Sequence, residues 1–97
     1  MIGESEVQFY VPNTFTPNGD GINDLFQVYG IGIDTISVDI FDRWGNSLMT
    51  WSGLENGWDG KIKNRLVQDG VYVYKIKGID SNQKIINKIG AVNLINF

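Results

Sequence analysis

Ile36-Ser37-Val38-Asp39-Ile40-Phe41-Asp42-Arg43-Trp44-Gly45-Asn46-Ser47-Leu48-Met49-Thr50-Trp51 reads as strand, turn and strand. Ile36, Val38 and Ile40 fall on one side of an extended chain and Ser37 and Asp39 on the other, the period of a sheet wet on one face. Phe41 and Arg43 continue the outer side. Gly45-Asn46 can supply the positive φ angles of a tight hairpin, so the chain is expected to reverse there and return over residues 47–51.

The same period recurs on both sides of this unit. Upstream, Val7, Phe9 and Val11 alternate with Gln8 and Tyr10 until Pro12-Asn13 stops the strand, and Phe26 and Val28 alternate with Gln27 and Tyr29. Downstream, a looser, glycine-marked segment over residues 52–64 leads to Asp69-Gly70 and a long strand over residues 71–79, in which Tyr72, Tyr74 and Ile76 share a face. Asp80-Ser81-Asn82-Gln83 then turns the chain into a last strand over residues 84–95. There is no helical periodicity of useful length and no internal repeat. The expectation is an all-β fold, an immunoglobulin-like β-sandwich of about seven strands, with a barrel as the alternative.

Ninety-seven residues make one small domain. Residues 1–6 read as a linker, because Ile2 is isolated among Gly3, Glu4, Ser5 and Glu6, and residues 7–97 as the folded unit. A net charge of -3, with the eight basic residues scattered, argues against a nucleic-acid surface. No apolar run is long enough for a membrane span, and a monomer is expected. The chain has neither cysteine nor histidine. That removes disulfides, thiolate ligands, the usual general base and the commonest transition-metal ligand, and with no serine–lysine motif nothing activates a serine. No enzyme activity is expected.

Thr16-Pro17-Asn18-Gly19-Asp20-Gly21-Ile22-Asn23-Asp24 is dense in oxygen donors and glycine. Two readings compete. In one, Asn18, Asp20, the Ile22 carbonyl, Asn23 and Asp24 form a small Ca2+ site, Ca2+ being the one candidate cofactor and none being required. Laid on the twelve-position EF-hand pattern, the loop supplies the middle but puts Thr16 at position 1 and Gln27 at position 12, so a full site of that type is not expected. In the other reading the Asx residues bond to nearby backbone amides and glycine takes the positive φ angles of compact turns.

Three segments together resemble a known family. Phe15-Thr16-Pro17-Asn18-Gly19-Asp20-Gly21-Ile22-Asn23-Asp24, then Ile40-Phe41-Asp42-Arg43-Trp44-Gly45, then Gly57-Trp58-Asp59-Gly60 with Asp69-Gly70-Val71-Tyr72-Val73-Tyr74, match in order and spacing the type B sorting domain of the type IX secretion system, found at the C-terminus of gliding-motility and surface proteins of Bacteroidota. The resemblance implies a domain that ends a larger exported protein, is met in the periplasm by a translocon or outer-membrane shuttle protein, and leaves its passenger on the cell surface. The family's last strand commonly closes on a basic residue, where this chain has Asn96-Phe97. Under this resemblance Val92, Leu94, Ile95, Asn96 and Phe97 are the candidate partner-recognition residues, since an exposed strand edge can accept an added strand. The alternative, from another class, is a calcium-dependent adhesion or carbohydrate-binding module of a surface protein.

Other residues carry weaker signals. Trp44 and Trp58 are expected to plug the ends of the core, with stacking on a sugar or partner as the competing role. Asp59 is expected to cap backbone amides. Lys75, Lys77, Lys84 and Lys88 come near one another if the last two strands pair, and are expected to keep an edge soluble.

Overall fold

The computed structural model describes residues 8–19, 21 and 24–95. The linker expected over residues 1–6, Val7, Asp20, Ile22, Asn23, Asn96 and Phe97 lie outside them. Among the described residues there are strands and no helix: β1 (Gln8–Tyr10), β2 (Thr14–Phe15), β3 (Tyr29–Ile31), β4 (Ile33–Phe41), β5 (Ser47–Ser52), β6 (Lys61–Ile62), β7 (Arg65–Leu66), β8 (Gly70–Asp80) and β9 (Ile85–Leu94). Because β2, β6 and β7 are two-residue pieces, nine segments stand where the period suggested about seven strands.

One layer is a five-stranded sheet in the order β2-β9-β8-β4-β5. All its pairs are antiparallel except the short parallel match of Thr14 and Phe15 with Asn93 and Leu94. The expected hairpin forms: β4 pairs with β5, Val38 facing Trp51, and a bulge after Ile40 pairs Phe41 with Ser47. Gly45 has a φ of 86°, whereas Asn46 is not among the positive-φ residues. Asp42 helps to close the turn, as its amide donates to the Asn46 carbonyl at 3.0 Å.

The second layer is made of smaller parts, the β1–β3 ribbon, the β6–β7 hairpin and an isolated bridge between Phe26 and Trp58. Between the layers lie Ile36, Val38 and Ile40 of β4, Tyr72, Tyr74 and Ile76 of β8, and Val92 and Leu94 of β9, packed with Phe15, Phe26, Val28 and Trp58. The result is an all-β, immunoglobulin-like sandwich. Phe26 and Val28 are buried as their alternation predicts, but the ladder starts only at Tyr29, since Phe26 finds its one backbone partner in the loop at Trp58.

Two positions fix this arrangement, one between the layers and one within the main sheet. Phe9 seats β1 on the main sheet, its Cζ lying 3.0 Å from where a Cβ on Gly78 would be. At the β8–β9 turn, buried Asp80 uses Oδ1 to accept the amides of Asn82 and Lys84, both at 2.9 Å, while its carbonyl accepts from Gln83. A buried carboxylate without such donors would be costly, so this turn is strongly specified.

Candidate recognition surface

The three sequence motifs meet at one end of the sandwich. Trp58 is 0% exposed and joins Phe26 by reciprocal backbone bonds, Phe26 N to Trp58 O at 2.8 Å and Trp58 N to Phe26 O at 3.0 Å. Glycine precedes it because a Cβ at position 57 would stand 2.9 Å from the Phe26 carbonyl oxygen. The indole N–H donates to the Lys61 carbonyl at 3.1 Å, and the ring lies 5.5 Å from Phe15 and edge-on to Tyr72 at 5.4 Å. Asp59 caps as expected, accepting the Lys61 amide at 3.0 Å. Pro17 and Leu94 close in on Gly60, at 3.0 and 3.1 Å from its missing Cβ.

Tyr72 opens β8 with its hydroxyl donating to the Gln68 carbonyl four residues upstream, the tyrosine corner of immunoglobulin-like sandwiches. Burial pushes its phenol pKa up, opposed by the nearby Arg43 and reinforced by Asp42 and Asp69. Arg43 in turn lies against the strand's start, a guanidinium nitrogen 3.5 Å from the Cβ position of Gly70. The hairpin tip at residues 42–46 therefore belongs to the same end of the molecule as Trp58 and Tyr72.

That tip is tightly braced. Asp42 Oδ1 accepts the amides of Trp44 and Asn46, both at 2.9 Å, and Oδ2 accepts the Asn46 side-chain amide at 2.9 Å. The Asn46 side chain, helped by the backbone amides, holds the Asp42 carboxyl below its ordinary value. Trp44 rides on this turn 76% exposed, with the Arg43 guanidinium 5.1 Å from its ring centroid. This corrects the expectation for Trp44, which plugs nothing. The bulge and the Asp42 turn carry it past the end of the core, while Trp58 fills the plugging role alone.

The last strand is anchored at the same end. Val92 and Leu94 are core residues, so their side chains are closed to a partner in the folded domain. Ile95 is partly exposed and its amide donates to the Phe15 carbonyl at 3.1 Å. Asn96 and Phe97 lie outside the described residues. β2 covers β9 only at Asn93 and Leu94, so residues 85–92 have β8 on one side and, among the described residues, no strand on the other. Of the four lysines, Lys75, Lys77 and Lys88 line one shallow groove and Lys84 does not. Lys75 and Lys77 lie beside Ile89 and Asn87 on the outer face, Lys88 is paired with inward-facing Ile76, and Lys84 is in the turn.

In the opening loop, Asp24 folds back on the chain. Its Oδ1 accepts the Gly19 amide at 3.0 Å and its Oδ2 the Gly21 amide at 2.7 Å, with φ angles of 80° and 83° at the two glycines. These are the contacts of a turn former. Among the described residues no group of three or more acidic, histidine or cysteine side chains is placed to hold a metal. Of the candidate donors, Asn18 and Asp24 are in the described loop, whereas Asp20, Ile22 and Asn23 lie outside it.

The sequence matches the CHU_C type IX secretion signal domain over residues 9–94, which takes in all three motifs and the sandwich from β1 to the end of β9. The chain belongs to this family. As a type IX secretion signal domain it has a sorting role, working with the type IX machinery and directing export to the cell surface or the extracellular space. No curated protein matches the sequence. Among solved structures, CopC from Methylosinus trichosporium OB3b is similar, with 14% identity, 90% of this chain and 86% of that chain covered, and a TM-score of 0.60. At that identity the likeness is one of fold. No helix among the described residues is long and apolar enough to cross a membrane.

Sequence reasoning missed two features of this secretion signal domain. Exposure of Trp44 has no local signal, since Trp44 and Trp58 are both flanked by glycine and an acidic residue within two positions. The pairing of Tyr10 with Tyr29 across β1 and β3 has no signal in the period, because the alternation runs unbroken from Phe26 to Tyr29 and leaves the register open.

Proposed function

We propose that the chain is a non-catalytic sorting module recognised as a folded unit by a type IX translocon or shuttle protein in the periplasm, before its passenger reaches the cell surface. The observation that carries this reading is the extent of the family match: it spans the whole sandwich, not a terminal tail. The absence of histidine and cysteine from the sequence fits a role without catalysis.

Two surfaces suit recognition. The braced hairpin tip offers Trp44 and Arg43, residue types that dominate interface energetics when buried by a partner. The edge of β9 over residues 85–92 offers backbone groups for strand addition. Val92 and Leu94 contribute by keeping this edge in place.

The test fuses the chain behind a signal peptide and a fluorescent protein, in hosts with and without the type IX system. Surface fluorescence that depends on the system is expected, and periplasmic retention in both hosts would refute the sorting reading. Leu94→Asp, which puts a charge in the core, is expected to abolish export by unfolding the domain. Trp44→Ala is expected to keep the fold and still lower surface fluorescence. Full export of a Leu94→Asp protein shown to be unfolded would mean that a linear segment suffices.

A further inference from the structure

Between the β1–β3 ribbon and the opening loop the second layer holds a groove of about 580 Å3, within the range of roughly 300–1,000 Å3 seen for small-ligand clefts. Tyr10, Asn13, Thr14, Asp24, Gln27 and Tyr29 are among the residues that line it. Nothing in the export reading uses it.

Tyr10 and Tyr29 are register partners, so their side chains leave the ribbon on one face. That face is turned from the core, because the alternate residue Phe9 packs against Gly78. The tyrosines are 64% and 53% exposed, and their rings stand 6.0 Å apart, tilted at 36°. Beside them are planar amides in fixed settings. The Gln27 side-chain N–H donates to the Leu54 carbonyl at 2.8 Å, leaving its oxygen as the acceptor on offer, and Asn13 Oδ1 accepts the Thr14 hydroxyl at 3.2 Å.

Charge decides among ligand classes. Among the described residues, Asp24 is the one ionisable acid or base lining the groove apart from the tyrosines, and both its oxygens accept from the Gly19 and Gly21 amides. No lysine or arginine lines it, so a phosphate or an acidic peptide would meet no cation. An acyl chain would have to bury the amides unpaired, which is costly. A sugar ring has apolar C–H faces for aromatic rings and hydroxyl edges for amides, and so matches both halves of the lining. The geometry points to a neutral saccharide site, in which pyranose rings stack on Tyr10 and Tyr29 while Asn13 and Gln27 bind hydroxyls. It is independent of the sorting role.

The bland role for the tyrosine pair is to stabilise a short ribbon, and the test must separate the two. The 97-residue chain is titrated with maltohexaose, cellohexaose, laminarihexaose and chitohexaose, each to about 10 mM, while backbone amide shifts are followed by NMR. At least one sugar is expected to give saturable shifts centred on Tyr10, Asn13, Gln27 and Tyr29. Tyr10→Ala and Tyr29→Ala are each expected to weaken binding by about tenfold or more, and Tyr10→Phe and Tyr29→Phe to keep it within about threefold, because stacking needs the ring. Asn13→Ala, which leaves the ribbon aromatics intact, is expected to weaken binding even if an alanine variant at a tyrosine fails to fold. Absence of saturable shifts with all four sugars, shifts centred elsewhere, or binding that survives both tyrosine-to-alanine changes and Asn13→Ala overturns the proposal.

Discussion

Tyr74 lies over Gly90, its partner in the β8–β9 ladder, so that its hydroxyl and ring carbons occupy the place where a Cβ on residue 90 would be. Gly90 is thus the space in which a buried aromatic ring is stored. Gly90→Ala forces Tyr74 from its position against Phe26, whose ring centroid is 5.6 Å away. The cost expected for such overpacking is about 1–3 kcal/mol, read as a lower denaturation midpoint in urea at unchanged slope. An unaltered midpoint would show that the ring has another place to go.

The same burial sets a pH dependence. The phenol pKa values of Tyr72 and Tyr74 are raised, chiefly by desolvation. Between the unfolded value near 10 and the higher folded value, the unfolded chain has lost protons that the native protein keeps. Stability is therefore full below about pH 10 and falls as pH rises through the folded values. Tyr74→Phe removes one ionising group and is expected to move the alkaline unfolding midpoint upward, checked by circular dichroism across a pH titration.

Loss of the Tyr72 hydroxyl has the opposite sign at neutral pH. Tyr72→Phe keeps the edge-on contact with Trp58 but loses the bond to the Gln68 carbonyl. The expected loss is about 1 kcal/mol, with a lower melting temperature in calorimetry. A variant as stable as the parent would mean that the corner is held by ring packing alone.

For the opening loop, Asp24→Ala removes the acceptor of two backbone amides and is expected to lower stability by about 1 kcal/mol in calcium-free buffer. Because the carboxylate is turned onto the backbone and, among the described residues, no group of three acidic, histidine or cysteine side chains gathers there, millimolar Ca2+ is expected to leave the melting temperature of the parent unchanged. A ligand bound only by the native state must raise it. A clear rise, lost in Asp24→Ala, would restore the metal reading.

What the sequence made legible was the main sheet. From Ile36 to Ile40 apolar residues alternate with Ser37 and Asp39, and in β8 Tyr72, Tyr74 and Ile76 stand two apart, so these buried faces follow from period alone. The second layer was less legible because its parts are fixed by distant partners. Trp58 is buried by a bridge to Phe26, and Phe9 is placed by Gly78. Trp44, with a similar local sequence but no such partner, is exposed. In the recognition surface the family motifs were readable as strings, but their meeting at one end required Gly60 to touch both Pro17 and Leu94. The expected Ca2+ donors were readable as an oxygen-rich list, yet the inward turn of the Asp24 carboxylate depends on the backbone angles at two glycines.

β2 has a single ladder partner, the end of β9, and Asn93 reaches back to the Asn13 carbonyl at 2.8 Å across eighty residues. A chain made from its N-terminus therefore carries its opening motif long before the strand that fixes it exists. Contacts of such sequence separation are among the slowest to form, because the loop between them must close first. Completion of this sandwich is tied to synthesis of its last residues, and a ribosome that stops short of Asn93 leaves the residues of β2 without a place in the sheet.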